Sequence, residues 1–151
     1  MSDLNSVEEI LDYAIGMEQK AIDLYTGLAA QASSPVMAKV FNGFADEERG
    51  HKAKLEAVKI GKRFVEDAKA VQDLRIAEYV NDVVLGDSPS YADSLVFAMK
   101  QEKQAFRLYT DLAERTDDAD LRNLFLVLAQ EEAKHKLRFE VEYDEHVLDE
   151  N

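Results

Sequence analysis

The chain of 151 residues has no cysteine. Disulfides, thiolate metal sites, iron–sulfur clusters and cysteine nucleophiles are therefore excluded, and a reducing compartment is compatible with the composition. Proline is nearly absent as well. Pro35 and Pro89 both stand beside serines, in "QASSPVM" and "GDSPSYAD", and read as boundary marks rather than helix interiors. Basic residues are few, 18 against 31 acidic ones, for a net charge of -13. A field of that sign repels phosphate backbones and anionic membrane surfaces and attracts cations, so neither nucleic acid nor a membrane is an expected partner. No apolar run approaches the ~20 residues that span a bilayer. The opening "MSDLNSVEEI" has neither a basic start nor an apolar signal core, which gives a cytoplasmic protein as the expectation.

What is present suits a packed domain: 46% hydrophobic and 32% charged residues argue for one soluble globular domain over residues 1–151. Start signals are clear. Ser34 precedes Pro35, Ser90 to Asp93 resembles a capping box, Ser6 with Glu9 makes another, and "RTDDAD" at 115–120 supplies aspartate caps. Four long helices are predicted at about 6–32, 35–62, 90–115 and 118–146. The stretch between the second and third is too long for a tight turn, and Leu74, Ile76, Ala77, Val80 and Val84 suggest a short crossover helix within it.

The second half repeats the first without a gap at an offset of 84, over about 10–59 and 94–143. Leu11/Leu95, Glu18/Glu102, Tyr25/Tyr109, Phe41/Phe125, Glu47/Glu131, Glu48/Glu132 and His51/His135 are among the matches. Two helix hairpins related by a pseudo-twofold axis are the expected arrangement.

Alternating steps of four and three trace a seam on each helix. Helix two reads Met37, Phe41, Phe44, Glu48, His51, Leu55, Val58, and helix four reads Leu121, Phe125, Leu128, Glu132, His135, Phe139. Helices one and three carry Leu11, Ala14, Glu18, Ala21, Tyr25, Leu28 and Leu95, Ala98, Glu102, Ala105, Tyr109, Leu112. Four inward carboxylates without compensation cost several kcal/mol apiece or stay protonated, and no lysine or arginine occupies these seams. Metal cations remain. Four glutamates and two histidines suit two borderline-hard first-row ions, with carboxylates bridging and imidazoles terminal, and four carboxylates balance two divalent charges. One Glu from each of two helices and Glu-x-x-His from each of the other two is the ligand pattern of ferritin-like carboxylate bundles. The fold expected is an all-α, ferritin-like up-down four-helix bundle with a long crossover between helices two and three.

From "AIGMEQKAIDLYTGLA" and "FADEERGHKAKLE" through "DLRIAEYV" to "AMKQEKQAFRLYTDLA" and "LAQEEAKHKLRFE", the chain resembles the rubrerythrin branch of the ferritin-like superfamily, in its stand-alone form without a rubredoxin module. The resemblance implies two iron ions, with Glu18 and Glu102 as terminal ligands, Glu48 and Glu132 bridging, and one imidazole, His51 or His135, per iron. Zinc or manganese remains an alternative. It implies reduction of hydrogen peroxide or oxygen, with iron oxidation and storage as the alternative activity and a non-redox metal-binding bundle as a second. Two departures stand out. Family peroxidases carry a further glutamate one turn after the third-helix ligand, where this chain has Ala105. Without cysteines, electrons must come from an external donor, rubredoxin-like or another reductant. A homodimer is expected.

Other residues admit two readings each. Tyr25 and Tyr109, two turns after Glu18 and Glu102, are candidate catalytic residues that bond a ligand carboxylate across the bundle, or else ordinary core tyrosines. Glu47 and Glu131 orient a histidine ring from another helix or face water, and the general preference of charged helical residues favours water. Ala14, Ala21, Ala98 and Ala105 either admit a small oxidant or allow close helix packing. His146, in "EYDEHVLDEN", is placed in an exposed acidic tail away from the site.

Overall fold

The computed structural model describes residues 7–61 and 89–150, with the side chains of 8–61 and 89–148. The expected box at Ser6 and the crossover helix around Leu74 to Val84 lie outside the described residues. Among the described residues four helices form: α1 Val7–Gln31, α2 Pro35–Gly61, α3 Tyr91–Arg115 and α4 Ala119–Glu150. The start signals act as read. Ser34 Oγ accepts from the amide of Met37 at 3.2 Å, Ser90 Oγ from that of Asp93 at 3.0 Å, and Asp118 Oδ1 from those of Asp120 and Leu121 at 2.9 and 3.1 Å. Each satisfies amides that the first helical turn leaves without partners.

The last helix outruns its expected end. The acidic run after Tyr143 contains neither Pro nor Gly to stop it, and α4 continues to Glu150. His146 is therefore not in an exposed tail. It is half-buried, with its ring edge-on to Tyr91 at 5.1 Å.

Lys59 near the end of α2 pairs with Asp12 near the start of α1 at 2.5 Å, so these helices form an antiparallel hairpin. Tyr91 at the start of α3 donates to Glu142 late in α4 at 2.5 Å, which makes a second. One apolar cluster joins Ile10, Leu11, Leu55, Val58, Leu112 and Leu121; it gathers the starts of α1 and α4 with the ends of α2 and α3. Hence α1 and α4 run one way and α2 and α3 the other. The chain must leave α2 at one end of the bundle and enter α3 at the other, the connectivity of a ferritin-like bundle. A second cluster, with Tyr25, Leu28, Met37, Phe41, Leu95 and Phe139, fills the opposite end. Between the two clusters lies a polar layer. No helix among the described residues is long and apolar enough to cross a membrane.

Candidate metal centre

The polar layer consists of the seam residues that interrupt the apolar pattern. Glu18, Glu48, His51, Glu102, Glu132 and His135 are each at most 2% exposed. Apolar neighbours one turn away on every seam bury them: Ala14 on α1, Leu55 on α2, Ala98 on α3 and Leu128 on α4. Two departures from the seams are small. Ala45 is buried where Phe44 was expected, and Phe44 sits half-buried with its ring stacked on His135 at 4.1 Å; Ala21 is half-buried.

These six side chains form two overlapping groups. Glu18, Glu48, His51 and Glu132 bring one ligand atom each within 4.8 Å of one another, and so do Glu48, Glu102, Glu132 and His135. The offset of 84 exchanges one group for the other, with Glu48 and Glu132 common to both. His51 Nδ1 lies 3.6 Å from Glu18 Oε2 and 3.2 Å from Glu132 Oε1. His135 Nδ1 lies 2.9 Å from Glu48 Oε1 and 3.8 Å from Glu102 Oε1. The two imidazoles are nearly parallel, 14° apart, with centroids at 6.5 Å.

The opposite nitrogens are held from outside the layer. His51 Nε2 bonds Glu131 Oε2 on α4, and His135 Nε2 bonds Glu47 Oε2 on α2. A proton on Nε2 donated to these carboxylates leaves the Nδ1 lone pair facing the interior, the arrangement in which histidine ligates a metal. Glu47 and Glu131 thus do what their water-facing assignment denied them, while remaining partly exposed. The repeat itself was the signal, since both positions hold Glu in both halves.

Tyr109 also reaches across. Its buried hydroxyl donates to Glu18 Oε1. Tyr25, its counterpart, is fully buried, but its hydroxyl has no hydrogen-bond partner among the described residues; the ring packs edge-on to His135 at 6.1 Å. The alanines divide between their two readings. Ala14, Ala98 and Ala105 are buried in the apolar clusters and Ala21 packs against one of them, while Ala21 and Ala105 also line a narrow cleft, with room of about 10 Å³, that reaches Glu18, Glu102 and Glu132.

Protons take up part of the charge in this constellation. Burial pushes Glu18 well above the ordinary carboxylate range, and the nearby Glu48 carboxyl adds to this. Burial also pushes up Glu132, reinforced by the charges of Glu102, Glu48 and Glu18, and Glu102 is raised by burial too. At Glu48 burial acts the same way but is outweighed by the closeness of Glu18, His135, His51 and Glu132, so this carboxyl is held well below its usual range. The two central carboxylates therefore ionise apart. Burial disfavours the imidazolium forms, but neighbouring carboxylates win: Glu18 and Glu48 raise His51 to about 10, and Glu102 and Glu48 raise His135 to about 11.

Protons do not complete the site. Glu18 Oε2, both oxygens of Glu48, Glu102 Oε2, Glu132 Oε1 and both Nδ1 atoms are buried and make no hydrogen bond among the described residues. Seven such atoms converging in one layer are costly unless something else binds them. Carboxylate oxygens with unprotonated imidazole nitrogens are the donors that first-row divalent ions take. The residues present fit a pair of metal ions.

A solved structure of a hypothetical protein from Pyrococcus furiosus matches this fold with a TM-score of 0.70 at 23% identity, over 91% of this chain and 87% of that one. No curated protein matches the chain. The rubrerythrin family model matches residues 9–143, a span that contains all six inward ligand candidates and both glutamates behind the histidines, and the chain accordingly belongs to the rubrerythrin family.

Proposed function

We propose that this chain is a non-haem diiron oxidoreductase that reduces hydrogen peroxide, or oxygen, with electrons from an external donor. The observation that carries the reading is the pair of exchangeable ligand groups sharing Glu48 and Glu132, with five of their buried oxygens and both Nδ1 atoms left without hydrogen bonds among the described residues. In this reading Glu18 and His51 hold one ion, Glu102 and His135 the other, and Glu48 with Glu132 both. Bound iron supplies the two electrons and the Lewis acidity that peroxide reduction requires.

The remaining work belongs to the chain's own residues. Glu47 and Glu131 fix the histidine rings with Nδ1 inward, and Tyr109 holds Glu18 through its Oε1. The Ala21–Ala105 cleft reaches three of the carboxylates with room of about 10 Å³, scarcely one water, and is the path by which a small oxidant would enter. The apolar clusters above and below keep bulk water from the layer. With no cysteine in the chain, a rubredoxin-like protein or another reductant delivers the electrons from outside.

A second reading, iron oxidation for storage or detoxification, draws support from Ala105. It lines the cleft beside Glu102 at the position where family peroxidases place a further carboxylate. Anaerobic Fe(II) loading followed by rapid mixing with hydrogen peroxide or oxygen separates the two. Near-ultraviolet diferric absorption growing far faster with peroxide, with about two irons kept per chain, supports peroxide reduction. Faster reaction with oxygen, repeated over added iron, supports the second reading.

A further inference from the structure

Beyond His135 the bundle is filled by aromatic rings that the internal repeat does not duplicate. From His135, the ring of Tyr25 lies edge-on at 6.1 Å and that of Phe44 stacks at 4.1 Å. Both touch Phe139, at 5.1 and 5.5 Å between centroids; Phe139 touches Phe41 at 5.7 Å, and Phe41 touches Tyr91 at 6.2 Å. Every step is a direct ring contact. The series begins at a candidate metal ligand and ends at Tyr91, half-buried at the start of α3. At the positions matching Phe44 and Phe139, the other half of the repeat has Leu128 and Leu55, both fully buried. A filled core therefore does not by itself require rings there.

Tyr25 and Tyr91 differ in what can become of their proton. A phenol that gives up an electron turns strongly acidic and keeps the vacancy only where a base takes the proton. Tyr25 is fully buried, and its hydroxyl has no partner among the described residues; it can pass an electron but not hold the vacancy. Tyr91 donates to Oε2 of Glu142, a buried carboxyl that also accepts from Ser33 at 2.8 Å. The position matching Glu142 is the apolar Val58. We propose that the ring series is an electron relay, in which Tyr91 sends one electron through Phe41, Phe139 and Tyr25 to His135 when peroxide meets a centre holding only one. The relay rests on the peroxide-reducing reading above. Breaking the O–O bond takes two electrons, with two protons from solvent, and yields two waters. One electron then comes from the remaining Fe(II), which becomes Fe(III). The other comes from Tyr91, whose O–H bond breaks, the proton passing to Glu142 and a tyrosyl radical remaining. A one-electron reductant outside returns the electron, and Glu142 returns the proton.

Full-length protein loaded anaerobically with Fe(II) provides the test. Fully reduced, it should show growing diferric absorption on mixing with hydrogen peroxide. Half-oxidised by limiting ferricyanide, then mixed with peroxide and freeze-quenched, it should give the electron paramagnetic resonance signal of a tyrosyl radical. The signal should narrow when the protein carries deuterated tyrosine and vanish on adding ascorbate. Tyr91→Phe, which keeps the ring, should lose the signal while its fully reduced form reacts with peroxide as before. Tyr143→Phe, packed against the same apolar cluster, should keep it, and Glu142→Gln should shorten its life. A signal that survives in Tyr91→Phe overturns the relay. So does its absence from the unsubstituted protein while diferric absorption still grows, an outcome that leaves the peroxide reading standing. No diferric absorption at all overturns both. If Tyr91→Phe does not fold, a spin-trap adduct mapped by peptide mass in the unsubstituted protein decides: it should sit on Tyr91, and an adduct confined to another tyrosine overturns the relay.

Discussion

Nε2 of His135 on α4 is bonded to Oε2 of Glu47 on α2, and the repeat returns the same bond between His51 and Glu131. Each hairpin thereby fixes the metal-facing ring of the other. Glu47→Ala and Glu131→Ala should weaken metal binding by about 10–100-fold with every inward residue intact. Glu47→Gln, which keeps an acceptor oxygen, should lose less. Competition against a chromophoric chelator measures this; unchanged affinities would mean that packing alone, such as Phe44 on His135, holds the rings.

Removal of a shared carboxylate should cost both ions. Glu48 and Glu132 belong to both ligand groups, whereas Glu18 and Glu102 belong to one each. Metal content by elemental analysis after Fe(II) loading and desalting should fall well below one ion per chain for Glu48→Ala, and to about one for Glu18→Ala. Equal losses in the two variants would argue against sharing.

The two tyrosines should separate in stability. Tyr109 donates to Glu18 inside the bundle, while the Tyr25 hydroxyl makes no bond among the described residues. Tyr109→Phe should cost about 1–3 kcal/mol, and Tyr25→Phe less than about 1 kcal/mol. Urea denaturation of the metal-stripped proteins tests the difference, and equal costs would contradict the asymmetry.

The pH dependence of the metal-stripped protein has a definite sign. His51 and His135 are raised in the fold to about 10 and about 11 from an ordinary 6.5. Their stabilisation is complete below the ordinary value and is lost as pH rises through the raised ones. Glu18 and Glu132, also raised, lose stabilisation in the same direction from the ordinary carboxylate range upward. Glu48 alone runs oppositely: its contribution is present above that range and is lost on acidification. The thermal midpoint of metal-stripped protein should therefore fall between about pH 7 and pH 10, and that of loaded protein should fall less, because ions replace the protons. Parallel curves would contradict this.

Ala105→Glu puts a carboxylate into the cleft beside Glu102 and Glu132. If the missing carboxylate limits peroxide reduction, this variant should turn over peroxide faster with equal iron bound. An unchanged rate would show that the limit lies elsewhere.

Much of this centre could be read from the chain because burial leaves few ways to place a charged seam. Glu18, Glu48, His51 and their repeats fall on the same seams as Tyr25, Phe41 and Leu55, so packing the apolar members necessarily brought the charged ones inward. Glu47 and Glu131 fall just off that seam, and their roles depend on how closely α2 and α4 approach, which no single helix encodes. The repeat likewise predicts equal tyrosines, and only three-dimensional packing separates Tyr109 from Tyr25. His146 was misplaced because an acidic run resembles a tail, although nothing in it ends a helix. Glu142 escaped notice altogether: it is buried far along α4, where Ser33 and Tyr91 donate to its Oε2, donors that come from distant parts of the chain.

The most direct test is anomalous diffraction from crystals grown with Fe(II) under anaerobic conditions. Two peaks per chain are predicted, one bounded by Glu18, His51, Glu48 and Glu132, the other by Glu102, His135, Glu48 and Glu132. A single peak in this layer, or iron bound only to surface carboxylates, would contradict the shared dinuclear centre.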